Sequence, residues 1–192
     1  MSNDKLLTEE DYEEAAARLG CEVAAIKAVA EVESSGGGFN SGGSPKILFE
    51  GHIFSKYTNG RYDKSNPTIS YPRWTKAYYR KNNIDEHKRL QQAIELDRRA
   101  ALMSTSWGKF QIMGFNYEAC GFDDLQKFIN AMFRSEGDQL LAFCGFILSN
   151  KLDDELRELR WADFARKYNG PRYAENKYDI KLARAYEKFS SY

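Results

Sequence analysis

The sequence predicts a mainly α-helical domain. Three observations predict it. Apolar residues recur three and four apart through most of the chain, with capping residues where the pattern starts and glycines where it stops. Residues 140–148 are apolar on nearly every side, as a buried central helix requires. Only one long stretch, residues 36–75, lacks helical period; it is rich in Gly, Ser, Asn, Pro and aromatics and reads as an ordered irregular loop with a short strand at 46–50.

The elements follow in order. Thr8 is placed to cap a first helix, with Glu9, Glu10 and Asp11 at its positive end, and Gly20 closes it. A second helix runs from about Glu22 to Ser34 and ends at Gly36-Gly37-Gly38, with Ser34 and Ser35 as helix-end caps. Helical spacing returns over residues 85–103, where Leu90, Ala93, Ile94, Asp97 and Ala101 share a stripe. A break follows at residues 104–114. Asp123 or Asp124 can cap the next helix, whose apolar face is Leu125, Phe128, Ile129, Met132 and Phe133. After the central helix come two short helices at residues 153–159 and 161–168. Asn169-Gly170-Pro171 then breaks the chain before a last helix with Tyr178, Leu182, Ala185, Tyr186 and Phe189 inward. There is no repeat, low-complexity tract or linker, so residues 1–192 are expected to form one domain.

Composition narrows the function. The chain has 28 basic and 28 acidic residues, so no global charge points to nucleic acid. The charge is uneven: nine acids face three bases in residues 1–35, whereas residues 36–91 hold ten bases and four acids. A basic middle segment suits an anionic polymer such as a cell wall, or simply a solvated surface. The 12 Tyr and 12 Phe offer flat faces for sugar rings as well as core. Cys21, Cys120 and Cys144 have no metal spacing, Cys144 reads as a buried thiol, and His52 and His87 are the only histidines, so no metal or other cofactor is expected. The N-terminus has no apolar signal core, and no stretch is long enough to span a membrane. The expectation is a monomer made in the cytoplasm, without membrane insertion, that another factor must release if its substrate lies outside.

The chemistry starts at Glu33. It falls on the stripe formed by Ile26, Val29 and Ala30, at the end of the second helix beside a glycine loop. A carboxyl turned inward there would have a raised pKa and could serve as a protonated acid; a slight helix rotation would instead leave it solvated. Glu31 points to another side of the helix. Two later breaks also put polar residues beside glycine and aromatics: Ser106 to Met113, containing Trp107, Gly108 and Gln111, and Tyr168 to Pro171. Singly each is weak, since Trp107 suits the core and the second break could be a helix stop. No His–Asp arrangement activates Ser34 or Ser35 as a nucleophile.

Together, and in this order, the segments AIKAVAEVESSGGGF, ILFEGHIF, SWGKFQIMGFNY and FARKYNGPRYAENKYDIKLARAY make the chain resemble the N-acetylmuramidase domain of phage endolysins, a goose-type-lysozyme-like family. The resemblance covers residues 7–192. It implies a lysozyme-like, two-lobed helical domain that hydrolyses peptidoglycan glycan strands after N-acetylmuramic acid, with release through a factor such as a holin. It carries the family's acid onto Glu33-Ser34, its sugar-lining turn onto Gly108 to Gln111-Ile112, and its closing turn onto Tyr168-Asn169. On this reading Glu33 is the general acid, and Glu50, in Ile47-Leu48-Phe49-Glu50-Gly51-His52, is the candidate second carboxylate. A structural ion pair of Glu50 with Lys46 or Arg61 is an equal alternative, and Asp63 is the runner-up. Gln111 would bond a substrate acetamido group or main chain across the cleft, Tyr168 would steady Glu33 or a ring oxygen, and Asn169 would hold the turn. Tyr173 could stack on a sugar. Gly42 occupies the place, nine residues after the acid, where another phage lysozyme pattern has Asp, which favours the goose-type plan. A lytic transglycosylase, needing one carboxyl, and a non-catalytic wall-binding module stay open as alternatives.

Overall fold

The first helix, α1 (Glu9–Leu19), is set by its ends. Thr8 accepts the Asp11 backbone N–H, and the Asp11 carboxylate takes the Thr8 N–H in return, a full capping box. Gly20 closes it with φ +67°. The computed structural model describes residues 5–34 and 36–191; the cap expected at Ser35 lies outside them. In α2 (Val23–Glu33), Ala25, Ile26, Ala28, Val29 and Ala30 are all buried, so the helix is enclosed on several sides. Ser34 leaves it in extended conformation.

The other elements are β1 (Ile47–Phe49), α3 (Gly51–Tyr57), α4 (Asn83–Leu96), α5 (Arg98–Met103), β2 (Thr105–Trp107), β3 (Ile112–Met113), α6 (Leu125–Arg134), α7 (Glu136–Ser149), α8 (Asp153–Arg157), α9 (Trp161–Asn169) and α10 (Tyr178–Ser190). They pack as two groups. Helix α2 lies against α10, α1 and α8, with α7 and α9 completing that side; β1, β2, α3, α4 and α5 pack with one another on the other. The α6–α7 contact joins the groups. The sheet is antiparallel in the order β1-β2-β3, with Ile47 opposite Trp107, and Trp107 opposite Ile112. Trp107 is 2% exposed and donates its indole N–H to the Leu102 carbonyl, so it is a core anchor. Cys144 is fully buried, as expected.

Three expectations need correction. The stretch 36–75 is not wholly irregular: the short strand is there, but α3 follows it directly. Seven residues carrying Gly51, His52 and Ser55 are too few to show a helical period, and the helix is held by burying Phe54. The stripe over 85–103 is two helices. Asp97 sits between them in extended conformation and accepts the Ala100 N–H, acting as an N-cap instead of a stripe member. Phe133 is 40% exposed, turned out of the α6 core face, with its ring 6.2 Å from that of Trp107.

Candidate active site

Glu33 stands at the last position of α2, half-buried where α9 ends. The Asn169 amide donates to its carboxyl, 3.2 Å from Oε2 and 3.5 Å from Oε1. Burial pushes the Glu33 pKa up to about 7, against the opposing pull of the Asn169 hydrogen bond and the Lys181 charge. Desolvation therefore outweighs two groups that favour the carboxylate, and about half of such carboxyls hold a proton near neutral pH. Glu31, two residues earlier, is exposed and paired with Lys188 at 2.6 Å. The two glutamates have opposite environments because the helix turns them to opposite sides.

Of Tyr168 and Asn169, it is Asn169 that reaches Glu33. Tyr168 instead lies in an aromatic stack, parallel to Phe164 at 5.6 Å and edge-on to Phe143 at 5.7 Å and Phe146 at 6.2 Å. Burial, and then the nearby Glu33 charge, push its phenol pKa up. Asn169 Oδ1 is buried without a hydrogen-bond partner, so the amide spends its one contact on Glu33.

Gln111 makes main-chain bonds, and its side chain is committed within the hairpin. Oε1 accepts from Ser106 at 2.8 Å, and Nε2 donates to the carbonyls of Gly108 at 2.8 Å and Lys46 at 3.3 Å. Both amide hydrogens are used, so the amide supports the turn. Gly108 has φ +72°, and a Cβ there would come within 2.5 Å of the Gln139 amide carbon.

Glu136 and Gln139, one turn apart on α7, carry functions that sequence reasoning missed. Glu136 accepts the Gly38 N–H at 2.6 Å and the Leu7 N–H at 3.3 Å, and pairs with Lys109 at 3.4 Å. Gln139 accepts the Lys109 N–H at 2.7 Å. Lys109 in turn donates to the Gly36 carbonyl at 3.0 Å. This turn of α7 thus holds the loop after Glu33 and the hairpin turn together. The available signal was three polar residues, Glu136, Asp138 and Gln139, at the head of an otherwise apolar helix.

Glu50 occupies the residue just before α3, at the far end of β1, and its side chain makes no capping hydrogen bond. Its Oε2 accepts from Tyr79 at 2.7 Å, and His52 Nδ1 stands 3.4 Å away without hydrogen-bond alignment. Neither Lys46 nor Arg61 pairs with it among the described residues. Its neighbours are tied to a buried ion pair: Glu86 accepts the Phe49 N–H at 3.1 Å, while Arg89 donates to the Phe49 carbonyl and the Tyr71 hydroxyl, both at 2.9 Å. Asp63 takes hydrogen bonds from Ser55 and Ser70 and so staples its own loop. Tyr173 is half-buried in a 3₁₀ turn, with the Arg166 guanidinium 5.8 Å from its ring centre.

The order of these parts along the chain matches a family model described as N-acetylmuramidase over residues 22–190. The chain belongs to the N-acetylmuramidase family. Among solved structures, the crystal structure of Burkholderia AP3 phage endolysin is similar, with 40% identity and a TM-score of 0.92 over all of this chain and 74% of that one. A comparison with curated proteins finds no match. The muramidase is a glycoside hydrolase of the endolysin type with peptidoglycan as its substrate, on a mainly helical lysozyme-like fold. No helix among the described residues is long and apolar enough to cross a membrane.

Proposed function

We propose that residues 1–192 act as one catalytic domain that hydrolyses the β-1,4 bond between N-acetylmuramic acid and N-acetylglucosamine, with Glu33 as the general acid. The observation that carries this reading is the half-buried Glu33 carboxyl, raised to about 7 by desolvation while Asn169 fixes its orientation. Glu33 gives its proton to the glycosidic oxygen as the C1–O bond breaks. Glu50 accepts a proton from the water that attacks C1, and Glu33 is reprotonated from solvent. Support for Glu50 is its divided bonding: Oε2 is held by Tyr79, whereas Oε1 has no hydrogen-bond partner among the described residues. Tyr173, in the turn between α9 and α10, is assigned to a sugar contact.

In the cell the chain acts as an endolysin, a monomer released to the wall by a separate factor such as a holin, and causes lysis. Mass spectrometry of digested peptidoglycan tests the bond and the chemistry. Reducing N-acetylmuramic ends are expected. Reducing N-acetylglucosamine ends would overturn the bond assignment, and anhydro-muramic ends would overturn hydrolysis and remove the role given to Glu50. Full lytic activity in Glu33→Gln would sink the mechanism.

A further inference from the structure

Of the tryptophans, Trp107 is in the core and Trp161 is half-buried with its ring 5.6 Å from that of Tyr186. Trp74 is 58% exposed. An indole open to water presents a flat face on which a ligand ring can stack. Its segment is anchored: Tyr71 is buried and its ring lies 5.1 Å from that of Tyr78, while the Tyr79 N–H bonds the Lys76 carbonyl at 3.1 Å. Trp74 is also connected to the candidate site. Tyr79, five residues further along the same segment, donates its hydroxyl to Glu50 at 2.7 Å.

The charge carried by the segment itself has one sign. Residues 73–81 contain Arg73, Lys76, Arg80 and Lys81 and no acid. Lys76 Nζ stands 5.7 Å from the Trp74 ring centre, and neither Arg73 nor Lys76 forms an ion pair among the described residues. An open indole rimmed by unpaired cations matches a pyranose ring, whose C–H face is apolar, on a strand whose stem peptides carry carboxylates.

We propose that Trp74 is a saccharide-stacking subsite beside Glu50, taking an N-acetylated sugar of the glycan strand while Arg73 and Lys76 meet stem-peptide carboxylates. This rests on the muramidase reading above and extends it to how the strand is held. Removing a central aromatic anchor weakens binding by about tenfold or more, so Trp74→Ala should raise KM by that factor with the loss falling on KM instead of kcat. Trp74→Phe should recover most of it. Circular dichroism melts should match wild type, because the ring is largely outside the core.

The deciding experiment measures co-sedimentation with purified peptidoglycan for Glu33→Gln and for Glu33→Gln/Trp74→Ala, alongside turbidity kinetics of the Trp74 variants. Iodide quenching of tryptophan fluorescence with an N-acetylglucosamine tetramer reports whether the exposed indole is covered. Weaker sedimentation in the double variant, with tetramer protection present in Glu33→Gln and absent in the double variant, is the expected result. Equal sedimentation, or a kcat loss at unchanged KM, would overturn the subsite. Activity surviving in Glu33→Gln would instead sink the catalytic reading while leaving the binding result to stand or fall by itself.

Discussion

Glu33 and Glu50 are the same residue type at the ends of neighbouring short elements, yet their surroundings differ in kind. Glu33 is half-buried with one amide donor and a more distant lysine, and burial raises it to about 7. Glu50 sits in a polar frame, bonded by a phenol, close to a histidine, and backed by the buried Glu86–Arg89 pair. The first environment favours a neutral carboxyl. The proposed division into acid and base can be tested against this difference.

The largest break in this comparison is Glu33→Gln. Activity on peptidoglycan should fall by about 10²–10⁴-fold with the fold retained, measured by turbidity loss. The same variant reports the cost of burying the acid. The folded chain holds the Glu33 proton more tightly than the unfolded chain, so stability declines as pH rises from about 4.5 to about 7. Glu33→Gln should therefore be more stable than wild type at pH 8, by about 1–3 kcal/mol, and equal to it at pH 4. Denaturant melts at the two pH values check this; a constant difference would show that Glu33 does not titrate in this range.

Glu50→Gln should reduce kcat by roughly ten- to a hundredfold without moving the basic limb of the pH–rate profile. A shifted limb would mean that the two carboxyls interact directly. Asn169→Ala removes a donor that favours the Glu33 carboxylate, so that limb should move to higher pH, by roughly half to one pH unit. Lys181→Ala should move it the same way but less, and added salt should erase the difference. A downward shift in either variant would contradict the balance described for Glu33.

The half of the site built on local pattern was legible in the sequence. The stripe of Ile26, Val29 and Ala30 pointed Glu33 inward, and the Thr8 box and Gly20 stop gave α1 its ends. What was hidden depended on partners far along the chain. No spacing rule separates a glutamine that faces substrate from Gln111, whose amide is spent on Lys46 and Gly108. Nor could local pattern tell which of Tyr168 and Asn169 reaches Glu33, because that depends on how α9 meets Phe143 on α7. Asp97 fits a helical stripe by spacing, and only its extended backbone reveals a cap.

One feature of α7 bears on how this enzyme can change over time. A Cβ at position 38 or at position 108 would collide with the Gln139 side chain, whose Oε1 also binds the Lys109 N–H. Replacing either glycine forces the glutamine to leave, and losing the glutamine frees the turn that the glycines were shaped to fit. The three positions therefore behave as one mutational unit. A lineage cannot widen the loop after the acid by single steps; it must cross a less stable intermediate or exchange the set together.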